Sequence, residues 1–314
     1  EVLLVDNLSN TRAEVLDGIE AISGKRPEWL NIDLADPAAC RSALEGHQLD
    51  GIIHFAAYKA VGESVQEPLK YYQNNLGSLV NLLDYVSKHP NCGFIFSSSC
   101  TVYGQADQLP ITENAPVKAA ESPYGNTKQI GEEIIRETAA AKGLKTIALR
   151  YFNPIGAHAS ARIGELPLGV PQNLVPFITQ SAAGLRGPLS VYGNDYPTED
   201  GTAVRDYIHV VDLAQAHRVA LERLIQGQGK DPMEVFNLGT GTGSSVLEVI
   251  QSFERATGEA LQWAYAPRRA GDVIAAYADT TKARDVLGWV AEKSLDEAMK
   301  DAWAWQVALG SDSH

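Results

Sequence analysis

The sequence predicts an α/β protein: a doubly wound parallel sheet with a smaller α+β lobe. Two observations predict it. Short apolar runs at 2–5, 51–57, 93–98 and 146–150 are unbroken by polar alternation, as strands buried on both faces must be. Helix-length segments separate them, the pace of a parallel sheet wound by crossover helices. A third regularity concerns function. Several runs end in acids or hydroxyls, and ligands of such sheets bind beyond the carboxyl ends of the strands.

The 314 residues can bury a large core. A net charge of −13 argues against nucleic acid as the main partner, because phosphate backbones are held by basic surfaces. Cys40, Cys92 and Cys100 are too few and too irregularly spaced for a disulfide framework or a zinc site; no metal is expected, and a reducing cytoplasm is. No apolar run is long enough to span a membrane, so no membrane partner is expected.

In chain order, the strand at 2–5 ends in Asp6-Asn7. An acid there can hydrogen-bond an adenosine ribose, although alone it reads more readily as a loop or cap residue. Amphipathic helices are expected at 10–20 and 36–46 around a strand at 29–32 that ends in Asp33. The strand at 51–57 follows, then a long helix at 68–88 with Asn74 and Asn75 inside it. A mid-helix Asn is usually solvated or bonded to backbone; facing the sheet edge, it binds ligand. The strand at 93–98, a helix at 122–142 and a strand at 146–150 complete the first domain, expected at 1–153 and of Rossmann-like type. Residues 154–205 are rich in Gly and Pro, the texture of short elements and binding loops. A helix at 210–225 leads to a strand at 235–239, so 206–241 is expected to return to the sheet. A helix at 245–257, a turn at 267–272 and helices at 280–287 and 294–307 build the second lobe, expected at 154–205 and 242–314.

Two stretches carry the chemistry, SSSCTVYG at 97–104 and SPYGNTK at 122–128. Tyr124 and Lys128 lie four residues apart, hence on one face of a helix. A nearby ammonium favours the phenolate, so the pair can act as a general base. Ser99, at a strand end, can share the substrate proton.

With these stretches stand DNLSN at 6–10, HFAAYKAVGES at 54–64, RYFNPIGA at 150–157, DYPTEDGT at 195–202 and RDYIHV at 205–210. In this order the motifs closely resemble the UDP-glucose (UDP-galactose) 4-epimerase family of extended short-chain dehydrogenases/reductases, across essentially the whole chain. The resemblance implies an isomerase of nucleotide-sugar and galactose metabolism, a cytoplasmic homodimer with helices 68–88 and 122–142 at its interface. It implies NAD as a tightly held cofactor and inversion of C4 of a UDP-sugar through a transient 4-keto sugar. Tyr124 becomes the base, Lys128 the residue that lowers its pKa and binds the nicotinamide ribose, and Ser99 a partner of O4. Implied cofactor contacts are Asp6, Asn7, Asn10, Asp33, Leu34, Phe55, Ala56, Ala57, Lys59, Asn74 and Tyr151. Implied substrate contacts are Asn153, Asn173, Leu174, Tyr192, Arg205, Arg269 and Asp272. A guanidinium pairs bidentately with a diphosphate, which suits Arg205 and Arg269. Ala276 falls where some members carry a bulky Tyr, and its small side chain implies that UDP-GlcNAc and UDP-GalNAc are accepted too.

Against the family pattern, no Gly-x-x-Gly-x-x-Gly turn precedes Asp6 here. Such a turn cradles the pyrophosphate at a helix N-terminus. The expectation is a fragment of a longer protein, one that as written is unstable or poor in NAD. The alternatives are a catalytically impaired nucleotide-sugar-binding fragment, or a nucleotide-sugar 4,6-dehydratase. Dehydratases resemble this chain with Asp-Glu where Cys100 and Thr101 stand, and neither residue can supply a carboxylic acid.

Overall fold

The computed structural model describes residues 1–269 and 272–311. Two parallel strands open it, β1 (Leu3–Val5) and, after helix α1 (Val15–Ser23), β2 (Glu28–Leu30). Helix α1 starts later than the expected 10–20, because Val15 and Leu16 close three-residue turns onto Arg12 and Ala13. Strand β2 also stops before Ile32, whose N–H turns back to the Leu30 carbonyl. Helix α2 (Pro37–Leu44) starts where expected. Asp36 accepts from the amides of Ala38 and Ala39, and Pro37 takes the position that needs no donor.

Strand β3 (Gly51–His54), helices α3 (Val61–Gln66) and α4 (Pro68–Lys88), strand β4 (Gly93–Ser97), helix α5 (Pro123–Lys142) and strand β5 (Thr146–Tyr151) follow. Next come β6 (Asn153–Ile155), α6 (Leu174–Ala182), β7 (Leu189–Tyr192), β8 (Val204–Arg205), β9 (Tyr207–His209), α7 (Val210–Ile225) and β10 (Met233–Leu238). The chain closes with β11 (Ser244–Ser245), α8 (Val246–Thr257), β12 (Trp263–Ala266), β13 (Ala275–Ala276) and α9 (Leu295–Ser311). Helix α6 is a finding the Gly- and Pro-rich texture of its surroundings concealed. The expected helix at 280–287 is largely a π-helical turn over Ala283–Leu287. The expected turn at 267–272 includes residues 270 and 271, which lie outside the described residues.

Four parallel strands run in the order β10-β5-β4-β3. Their pleat divides the side chains between two cores. Phe94, Phe96 and Ala148 pack with Leu79, Leu82 and Leu83 of α4 and Ile135 of α5. Ile95, Ile147, Leu149 and Phe236 face the other way, onto Leu213, Ala216 and Ala220 of α7. Helices therefore cover both faces, as unbroken apolar strands require. Truncating fully buried Phe94 to Ala costs about 3–5 kcal/mol. A third core joins α6, α8 and α9 through Ile178, Val249, Phe253 and Met299.

Candidate active site

The strand β4 delivers Ser97, Ser98 and Ser99 to the carboxyl edge of the sheet, all buried. Ser99 ends the extended backbone and caps a 3-10 turn (Cys100–Tyr103), its Oγ accepting from the Thr101 amide at 3.2 Å. Opposite, Ser122 caps α5 by accepting from the Gly125 amide, and Pro123 occupies the first helical position. Tyr124 thus stands in the first turn, where the helix dipole favours negative charge. Lys128 is one turn further and 4% exposed. Its Nζ donates to the Ser97 carbonyl at 2.7 Å and lies 4.9 Å from the Phe96 ring centroid and 5.8 Å from that of Tyr124.

The three groups converge, and burial governs their charges. Burial pushes the Tyr124 phenol well above its ordinary pKa, and Tyr151 adds to this; a hydrogen bond with Ser99 works the other way. The Lys128 ammonium, 5.8 Å from the Tyr124 ring centroid, is turned to the Ser97 carbonyl. Lys128 is itself lowered to about 8 by burial, with Glu132 acting against the shift.

The strand ends fit a dinucleotide. Asp6 and Asp33 follow the paired strands β1 and β2, each folded into a local turn: Asp6 accepts from the Leu8 amide, Asp33 from Ala35. Asn7 accepts from the Ser9 amide, and Asn10 is exposed nearby. Past β3, Phe55 is 55% exposed, beside exposed Ala56 and half-buried Ala57, an apolar ledge for a ligand. Tyr151 closes β5, its phenol pushed up to about 12 by burial. Next to exposed Asp33, Leu34 is 8% exposed and packs its side chain in the core. Asn74 spends its amide on Asn75, which in turn bonds the Tyr58 backbone and Thr127. Asn75 is the residue of the pair that ties the β3 exit to α5.

The residues expected to contact the substrate lie on β6 and the elements that follow it. Asp272 accepts from Arg269 Nε at 3.0 Å and lies 3.9 Å from Arg205, whose side chain is 17% exposed. The Arg269 guanidinium also lies 4.9 Å from the Tyr192 ring centroid. Ala276 pairs with Arg205 across β13 and β8 and packs against the cluster of Val102, Tyr103 and Phe152, next to the Ser99 turn. Asn153 donates its amide to the Asp206 carbonyl. Asn173 precedes Leu174 at the start of α6 and donates to Glu165 at 2.7 Å; the same oxygen receives Lys59 at 3.2 Å. Sequence reasoning missed Glu165, since an acid in a polar loop carries no pattern. A cavity of about 460 Å³ lies between α6 and α9, and none of Ser99, Tyr124 or Lys128 lines it.

Comparison with known proteins decides which family has this arrangement. A family model described as GDP-mannose 4,6 dehydratase matches residues 1–302. The UDP-glucose 4-epimerase of Bacillus subtilis is 48% identical over 307 residues, covering 98% of this chain and 89% of that protein. The chain belongs to the matched family, among its UDP-glucose 4-epimerases. Solved epimerases agree. That of Stenotrophomonas maltophila, with bound NAD and formylated UDP-arabinopyranose, superposes with a TM-score of 0.95 at 44% identity, over 99% of this chain and 92% of that one. That of Bifidobacterium longum, with NAD+ and UDP, gives 0.92 at 44%, over 98% and 91%. Cys100 and Thr101, the two residues that follow Ser99, carry no carboxyl group. Burial pushes the Cys100 thiol up to about 12, and Thr101 Oγ1 is buried without a hydrogen bond among the described residues.

Proposed function

We propose that this chain interconverts UDP-glucose and UDP-galactose by inverting C4 through a transient 4-keto sugar, with NAD as a retained cofactor. One observation carries the reading: Ser99, Tyr124 and Lys128 are buried together at one strand end, in a chain 48% identical to an epimerase. NAD when bound supplies reversible hydride transfer at C4, with no net redox change.

Each residue then has a task. Tyr124 accepts the proton of the sugar 4-hydroxyl and returns it after the keto sugar has turned over. Ser99, whose hydroxyl acts on the Tyr124 phenol, shares that proton and holds O4. Lys128, swinging from the Ser97 carbonyl toward the cofactor ribose, brings positive charge to the phenol and makes it the stronger acid. Burial of all three excludes water, which protects the keto sugar. Arg205 and Arg269 leave Asp272 for the diphosphate, and freed Asp272 accepts from the uridine ribose. Phe55, Ala56, Ala57, Lys59, Asn74 and Tyr151 line the cofactor, with Asp6, Asn7, Asn10 and Asp33 around its adenosine.

The small Ala276 beside the Ser99 turn leaves room for a 2-N-acetyl group, so N-acetylated UDP-sugars belong to the same reading. A homodimer through α4 and α5 is part of it, Leu69 and Val80 of α4 being 70% and 48% exposed. So is a cytoplasmic setting, which suits three free cysteines. No described helix is long and apolar enough to cross a membrane.

The test is to load the protein with NAD and follow UDP-galactose by proton NMR of its anomeric signal. Conversion toward a UDP-glucose/UDP-galactose mixture is expected. An NAD-loaded protein that leaves UDP-galactose unchanged contradicts the proposal.

A further inference from the structure

Beside the reacting groups lies a buried polar cluster that the mechanism above does not use. Glu132 stands one helical turn beyond Lys128 on α5 and is 2% exposed. Its Oε1 accepts from Ser98 Oγ at 2.6 Å and from Arg150 Nε at 2.9 Å; its Oε2 accepts from Arg150 Nη2 at 2.5 Å. Arg150, on β5, is 3% exposed and lies 4.8 Å from the ring centroid of Tyr103, whose hydroxyl donates to Asn237 at 2.6 Å.

A buried ion pair of this kind is weak evidence for stability, since well-packed apolar replacements are often as stable. Its placement points elsewhere. The strand exit that presents Ser99 is gripped at successive residues. Ser97 is held by Lys128 at its carbonyl and by His217 at its hydroxyl, the latter at 2.8 Å. Ser98 is held by Glu132. Ser99 is then free to face Tyr124. The same carboxylate lies four residues from Lys128 along the helix, where charges interact.

The surroundings of Lys128 make that charge count. From β3, His54 faces it as a neutral ring, held to about 3 by burial and by Lys128 itself. From β4 come the Ser97 carbonyl and the Phe96 ring. From α5 come the neutral Tyr124 phenol and Glu132, and from β5 the neutral Tyr151 and the Arg150 guanidinium, held on Glu132. Burial and Glu132 are the influences on the Lys128 proton, and only Glu132 favours the ammonium.

We propose that Glu132 is a positioning residue for the reaction: through Ser98 it fixes the strand exit that presents Ser99, and through its charge it keeps Lys128 an ammonium. This rests on the catalytic reading of Ser99, Tyr124 and Lys128 given above. The wild-type protein and Tyr124→Phe therefore enter the same experiment. An inactive wild type, or an active Tyr124→Phe, refutes that reading and this proposal with it; the other arms bear on Glu132 alone.

The two functions of Glu132 are tested separately, on NAD-loaded protein. Ser98→Ala keeps the ion pair and removes only the grip on the strand. A fall in kcat of about tenfold with KM for the UDP-sugar within about twofold is expected. Unchanged kcat overturns the positional half. For the charge, Glu132→Gln is combined with Arg150→Met, so that no lone cation is left in the core. With less support for the ammonium, the alkaline limb of the kcat–pH profile moves toward neutral pH by up to about one unit. A kcat profile that falls in height without moving overturns the electrostatic half. Thermal unfolding and bound NAD, read by absorbance, verify that the variants compared are folded and loaded.

Discussion

The Lys128 ammonium donates to the Ser97 carbonyl at 2.7 Å rather than to the Tyr124 phenol, although the two residues share one helix face. The contact joins the base-bearing helix to the strand end that carries Ser99. It also keeps the cation in place until a ligand arrives. Burial keeps the Tyr124 phenol protonated in this state, and its activation belongs to the bound complex.

Acid should loosen the sheet before it reaches the carboxylates. Burial holds His54 down to about 3 and His217 down to about 4, against an ordinary value near 6.5. A base whose folded pKa is depressed stabilises nothing extra above 6.5, and it costs stability as pH falls below that value toward the folded pKa. At pH 5 each histidine removes about 2 kcal/mol. His54→Phe, placed between the Phe94 and Phe96 rings, should therefore lessen the drop in urea midpoint between pH 7.5 and 5. An identical drop in wild type and variant would count against this account.

Arg205 should matter to binding more than to the chemical step. Its guanidinium is mostly buried and paired at 3.9 Å with Asp272, a partner that a diphosphate can replace. Arg205→Lys keeps the charge but loses the planar fork. It is expected to raise KM for the UDP-sugar roughly tenfold, with kcat changed less than about threefold. Steady-state kinetics check this, and a kcat-only defect would reassign the residue.

Ala276 should set which sugars fit. Ala276→Tyr adds a ring against Val102 and Phe152 beside the Ser99 turn. Turnover of UDP-GlcNAc should fall by about a hundredfold or more while UDP-glucose is retained, since a filled pocket rejects an added group sterically. Equal UDP-GlcNAc turnover in both proteins would sink the assignment.

Much of this was readable in the sequence, for identifiable reasons. Helix α4 begins at Pro68, a residue preset for a first helical position, and its buried Leu79, Leu82, Leu83 and Val86 repeat at helical spacing. The strands β4 and β5 announced themselves as unbroken apolar runs. Helix α6 did not, because Pro171 precedes it closely and Pro176 lies within its first turn, a pattern that reads as loop. Glu132 was invisible for a different reason. A helical Glu normally faces water, and only the fold brings Arg150 to it. Asn74 and Asn75 show the same limit: the residue types were legible, but which of the two faced the strand exit depended on packing.

The most direct test of the account is the epimerisation rate of NAD-loaded Tyr124→Phe against wild type, read by NMR of the sugar anomeric proton. The substitution removes one hydroxyl from a side chain 8% exposed and leaves its packing intact. A loss of about 10²–10⁴ in kcat, with NAD retained, is predicted for removal of the general base. Turnover within a few-fold of wild type would contradict the account at its centre.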